Sequence, residues 1–185
     1  MVTDDLVQQL LDTGYDNLFH RLDHDALDAV WDNGARRERL RQVARDETVP
    51  LTARFLASEV LFNRDPGYPP PADRARLAAV YVSLLASDEL MGNAWGLPGE
   101  MSGEVGQHLL ALGEPAIALL QPLLSDPTVV WFEGSEEATT GNAYQLRVMD
   151  LAAAFIRQLR GQPVSLALDP KSRDAMIADL RASLI

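Results

Sequence analysis

Four groups of side chains in this chain have types and spacings that chemistry could use. The first is a set of carboxylates, Glu133, Glu136, Glu137 and Asp150, with Arg147 close by in sequence. Two carboxyl groups in one pocket can do general acid–base work, one held neutral as proton donor and the other ionised to activate water. If Glu133, Glu136, Asp150 and His108 converge in a pocket with raised pKa values, the chain is a hydrolase using carboxylates of the 131–142 loop. A divalent metal would suit the same oxygen ligands. The second group is His20 and His24, four residues apart, with Asp23, Asp25 and Asp28 beside them. On one continuous helix these imidazoles would share a face and hold a metal ion together with a carboxylate. Asp23, however, reads as a helix cap that splits this face. His108, next to Leu109 and Leu110, reads as a hydrogen-bonded packing residue. No metal site is therefore expected.

The third group is an arginine stripe, Arg37, Arg41 and Arg45, with Arg36 and Arg39 beside it. Such a stripe can dock an acidic partner or RNA. The interleaved aromatic residues that RNA binding would use are absent. Pairing with the preceding Asp23, Asp25, Asp28 and Asp32, or a solvated face, is the expectation. The fourth group is a pair of loops rich in aromatic residues and glycine, 95–100 and 131–142, one before and one after the helices expected over 102–124. In a helical hairpin the entering and leaving chains emerge at the same end. The loops can then pool Trp95, Glu100, Trp131, Phe132, Glu133, Glu136 and Glu137, which are the candidate binding residues. Exposed aromatic residues rimmed by charge are the composition of a protein-binding hot spot. The competing reading has both tryptophans plugging the end of the core, with the glycines only permitting turns.

The elements that must position these groups are helical almost everywhere, and no segment of clear two-residue alternation appears. Thr3 can cap a first helix carrying Val7, Leu10 and Leu11, ended by Gly14. A helix from Asp23 turns Leu27, Val30 and Trp31 inward, and a third over 35–45 buries Leu40, Val43 and Ala44. Thr48 as N-cap and Pro50 in the first turn open a helix to Arg64, which the stretch 65–71 breaks. Further helices are expected over 72–86, from Ser102 to Leu112 and from Pro115, the last kinked at Pro122. A long loop over 125–142 precedes a helix over 143–160. Asp169 with Pro170 starts a final helix that buries Met176, Ile177, Leu180 and Leu184.

The segment 109–117, Leu-Leu-Ala-Leu-Gly-Glu-Pro-Ala-Ile, continues through Leu120, Leu123 and Leu124 to Asp126-Pro127. It resembles the first helix of a HEAT-like (armadillo-type) repeat. Leu146-Arg147-Val148 and Ala152 to Phe155 look like the second helix, and 160–163 looks like the turn toward a following unit. A weaker echo is Asp46 with 53–57. The resemblance, over about residues 109–163, implies antiparallel helical hairpins stacked as a short right-handed α-solenoid that binds other proteins. It implies no catalytic residues. In such repeats the Asp and the Arg-bearing helix are separated by a few residues. Here residues 127–142 lie between Asp126 and the Arg147-bearing helix expected from 143, and connections that long are usually functional or disordered. The apolar cluster 129–132 argues for order, with an acidic tip over 133–137 facing solvent.

These elements are expected to form a single all-α domain over 1–185, with 1–45 as an N-terminal helical cap and 46–185 as HEAT-like helix pairs. Composition agrees with a globular chain: 47% of the 185 residues are hydrophobic and 23% charged. At that length roughly 70% of the unfolded surface is buried, so no staples are needed. The absence of cysteine excludes disulfides, thiolate metal sites and a cysteine nucleophile. A net charge of −11 opposes nucleic acid and anionic lipid. Lys171 is the only lysine, a bias suited to a GC-rich bacterial genome. An acidic N-terminus without an apolar run points to the cytoplasm, and no run approaches the ~20 residues needed to span a bilayer. Phosphate loops, dinucleotide fingerprints, nucleophile elbows and His-Glu-x-x-His are missing, so neither a cofactor nor a catalytic residue is expected. The leading expectation is a small acidic helical-repeat protein that binds another protein, as an adaptor or immunity-type inhibitor. The alternative is the carboxylate hydrolase, and a homo-oligomer sealed through the same loops stays open.

Overall fold

Apolar residues at helical spacing produce most of the helices among the described residues. The computed structural model describes residues 5–87, 89–99, 103–134, 136–165 and 167–184. Among these the protein is all-α, and its only β pairing is an isolated antiparallel bridge between Val129 and Arg147. The expected helix starts at Thr3 and Ser102 lie outside the described residues. Two compact units divide the chain, 1–80 and 81–185.

The first unit holds α1 (Asp5–Phe19), α2 (Asp25–Trp31), α3 (Arg37–Arg45) and α4 (Leu51–Arg64). Gly14 breaks the first helix, as expected: it takes φ 72° and ψ 168°, a non-helical setting open to glycine, and a second helical stretch follows across the kink within Asp5–Phe19. α3 and α4 pack together, and α1 lies against α4. α4 is buried through most of 53–61, the pattern of a helix enclosed by its neighbours. It starts after Pro50 and not from a Thr48 cap. Thr48 instead donates its hydroxyl and its N–H to Asp46 Oδ1, at 2.7 and 2.9 Å.

The arginine stripe is paired, but mostly with partners other than those expected. Arg41 donates to the buried Asp65 at 2.6 Å, and Arg45 meets Glu38 at 3.1 Å and Asp73 at 3.5 Å. Of the preceding acidic stretch, Asp32 pairs with the stripe through Arg36 at 3.9 Å, while Asp28 pairs with Arg64. The break over 65–71 folds back onto α3, which puts Asp65 within reach of Arg41.

The unit boundary falls within α5 (Arg74–Leu85). The second unit continues with α6 (Gly92–Trp95), α7 (Glu104–Leu112), α8 (Pro115–Leu120), α9 (Glu136–Tyr144), α10 (Val148–Leu159) and α11 (Pro170–Ala182). Gly113, at φ 80°, ends α7, and Pro115 opens α8. At Pro122 the missing N–H ends the α pattern, and 121–125 tightens to a 3-10 turn. α10 packs against α7, α8, the 3-10 turn and α11. Its apolar stripe, Leu151, Ala152, Phe155 and Ile156, is buried. Asp169 caps α11, accepting the Ser172 N–H at 2.9 Å.

The helix expected over 143–160 is in fact two. Gln145 takes φ 49°, Leu146 leaves the helix, and α10 restarts at Val148. The restart is fixed by Asp150, whose Oδ2 accepts the Arg147 N–H at 2.9 Å. The long loop expected over 125–142 is likewise half helix, because α9 occupies its second half.

Candidate binding surface

In the second unit, α6, at the head of the first aromatic–glycine loop, lies against residues 131–133 of the second loop. Gly92 N–H donates to Trp131 O at 2.7 Å, and Glu133 N–H donates to Asn93 Oδ1 at 2.8 Å. Their contact is built around Phe132, which is 2% exposed. A Cβ added at Gly92 or at Gly141 would lie 2.4 Å from the Phe132 ring, so the ring occupies a slot between α6 and α9 that only glycine leaves open. Asn142 clamps the same residue. Its Oδ1 accepts Phe132 N–H at 3.1 Å and its Nδ2 donates to Phe132 O at 2.8 Å. Trp95 is 1% exposed and meets Phe155 edge-on at 6.2 Å. Gly106 lets α7 approach the Trp95 carbonyl, where a Cβ would sit 2.1 Å away. These glycines therefore admit close packing and are not merely turn formers.

Above this plug, residues 128–132 run as an extended ribbon beside 142–148. Val130 N–H donates to Leu146 O and Val148 N–H to Thr128 O, at 2.7 and 2.8 Å, flanking the Val129–Arg147 bridge. Even-numbered residues thus turn their backbone groups toward 142–148, and odd-numbered ones toward α6. A groove of about 240 Å³ opens between the ribbon and Leu85, Ser87 and residues 89–91. Its floor includes Leu85, Trp95, Val130 and Val148, and its rim carries the exposed apolar residues Met91, Val129 and Trp131. Trp131 is 67% exposed, which is far from the ordinary burial of its type.

The candidate residues thus separate by role. Trp95 and Phe132 are buried supports, Trp131 stands in solvent, and Glu133 is exposed beside it. Glu100 and the side chains of Glu136 and Glu137 lie outside the described residues. Met91 and Val129 complete the rim and were not singled out by residue type. A charge signal does point to this region. From 77 to 146 the chain has no Lys or Arg but nine Asp and Glu.

The carboxylate set does not bring in Asp150. Its side chain is 2% exposed and fixed by Arg147, through Nε and Nη2 at 2.9 and 3.0 Å, and by Arg173 Nε at 3.2 Å. Arg173, itself buried, also donates to the carbonyls of Tyr144, Ala167 and Leu168. Asp150 and Asp174 hold the Arg147 guanidinium above its ordinary pKa, chiefly through the hydrogen bonds from Arg147 to Asp150. This network ties α10 to α11. His108 is half-buried on α7. His20 pairs with Asp16 at 3.0 Å on the surface, while His24, at φ 53°, precedes α2. Among the described residues no three His, Cys, Asp or Glu side chains cluster as metal ligands, and no helix is long and apolar enough to cross a membrane. Compared with protein-family models, curated proteins and solved structures, the chain matches none.

Proposed function

We propose that this chain is a non-catalytic binding protein whose second unit docks a basic partner protein on the surface centred at Trp131. The observation that carries the reading is the pairing of a solvent-facing tryptophan with a rigid, dry support. Trp131 stands on a ribbon pinned by Phe132, Asn142 and Gly92, so little ordering entropy is lost when a partner covers it. Hot spots favour tryptophan in this setting, ringed by residues that exclude water. Charge selects the partner's sign. The second unit has six basic and thirteen acidic residues, so its field attracts cationic proteins and repels nucleic acid. Under this reading the helix pairs are HEAT-like, and the protein serves in the cytoplasm as an adaptor or immunity-type inhibitor.

The test is site-specific photo-crosslinking in the producing cell, with the photoreactive residue at position 131 and, as control, at the fully exposed Leu22. The expected product is one basic protein captured from position 131 alone. After purification it should bind Trp131→Ala at least tenfold more weakly than the wild type. Identical products from both positions, or a purified protein indifferent to Trp131→Ala, would refute the reading.

A further inference from the structure

The ribbon at the groove has an open backbone edge. Val129 is the bridge partner of Arg147, and the ladder bonds on either side of the bridge belong to Thr128 and Val130. In an antiparallel pair of this kind the bridged residue's own N–H and C=O point away from its partner. They point to the edge where Trp131 O meets Gly92 N–H and Glu133 N–H meets Asn93. α6 therefore covers that edge from Trp131 O onward. Among the described residues, Val129 N–H, Val129 C=O and Trp131 N–H have no partner. Leu85, Ser87 and residues 89–91 line the groove together with Val129 and Trp131.

We infer that the groove receives an extended, Lys/Arg-bearing segment of the partner protein, which adds as a strand to the Val129–Trp131 edge through those three backbone groups. This rests on the binding reading above and specifies its mode. Strand addition draws affinity from main-chain bonds, and selectivity from alternate side chains. Val129 and Trp131 share one face of the ribbon, so the segment's neighbouring side chains lie along an apolar strip. The exposed Trp131 indole offers its π face to a guanidinium or ammonium group. The chain around the groove supplies no competing cation, since none occurs between Arg76 and Arg147. A helical occupant would satisfy its own backbone and leave the three groups open. The strand fits the observation and the helix does not.

The probe is an acetylated, amidated heptapeptide alternating arginine and valine, titrated into the isotope-labelled full chain. A second peptide of the same sequence is N-methylated on alternate backbone nitrogens, which removes one bonding edge. A third, of equal charge, is built on alanine to favour helix. The alternating peptide should shift the Val129 and Trp131 amide resonances, and N-methylation should weaken it about tenfold. Val129→Pro should do the same, because that N–H serves no internal bond and proline is tolerated where a strand's N–H faces outward. The methylated peptide keeps the test valid whether or not this variant folds. If all three peptides bind equally and lose affinity together in Trp131→Ala, strand addition is wrong and the binding surface stands. If no basic peptide perturbs the groove at millimolar concentration, both readings fall.

Discussion

Gly141→Ala separates two opposing effects that the structure places on one atom. Gly141 lies within α9, where alanine is the better helix former by about 1 kcal/mol. On propensity alone the substitution stabilises. Its Cβ, however, would sit 2.4 Å from the Phe132 ring, about 1 Å inside ordinary contact. The ring has no room to retreat, because a Cβ at Gly92 would meet it at the same distance from another direction. Overpacking of that kind costs about 1–3 kcal/mol, and the enclosed slot puts this case near the upper end. The net expectation is a loss of about 1–2 kcal/mol. Phe132→Ala alone should cost about 3–5 kcal/mol by leaving a cavity. With the ring gone, Gly141→Ala has nothing to strike and should become stabilising by about 1 kcal/mol. The sign reversal, a coupling of about 2–3 kcal/mol, is read from urea denaturation of the four proteins in a double-mutant cycle. Additivity within about 0.5 kcal/mol, or stabilisation of the wild type by Gly141→Ala, would show that Phe132 does not fill the slot.

Other expectations follow from the same contacts. Asp150→Ala should lower stability by about 3–5 kcal/mol, since Arg173 is left as a buried cation without its carboxylate; a catalytic carboxylate would instead leave stability equal or higher when removed. Asp169 is held below its ordinary value of 3.8, first by the Ser172 hydroxyl and then by the Ser172 N–H, so its folded-state pKa is depressed. Its contribution is complete above about pH 4 and is lost as pH falls through the lowered pKa. Asp169→Asn retains a capping acceptor and should flatten the acid limb of the stability profile between pH 4 and 2. Hydrogen exchange followed by NMR should find the Val129 and Trp131 amides exchanging fast, and those of Val130, Val148 and Gly92 slowly.

Much of this architecture was legible in residue order. The stripe Val148, Leu151, Ala152, Phe155 announced α10, and Asp169-Pro170 announced α11, because burial on one helical face and an N-cap are local signals. α9 was not legible. Glu136–Tyr144 carries no apolar stripe, and its glycine and asparagine serve Phe132 from a distance in sequence. The break before α10 had one local sign, an Asp at the third helical position, which an apolar stripe running from the preceding residues obscured. At the site, hairpin logic looked to 95–100 and 131–142, whereas the contact runs through Gly92 and Asn93 of α6. It did not say which tryptophan would be outside. Residue type does not distinguish Trp95 from Trp131: the first is enclosed at the end of α6 against Phe155, and the second stands exposed on the ribbon. The open edge at Val129 was hidden too, because it depends on a bridge to a residue eighteen positions away.

The three tryptophans supply the most direct measurement. Trp31 belongs to the first unit, Trp95 to the buried plug and Trp131 to the groove rim, so each indole N–H reports one environment. In a proton–nitrogen correlation spectrum titrated with the alternating arginine–valine peptide, the Trp131 indole signal should move saturably, and the movement should shrink as salt is added. The other two should stay in place. A shift confined to Trp31, or three indole signals unmoved at saturating peptide, would contradict a docking surface at Trp131.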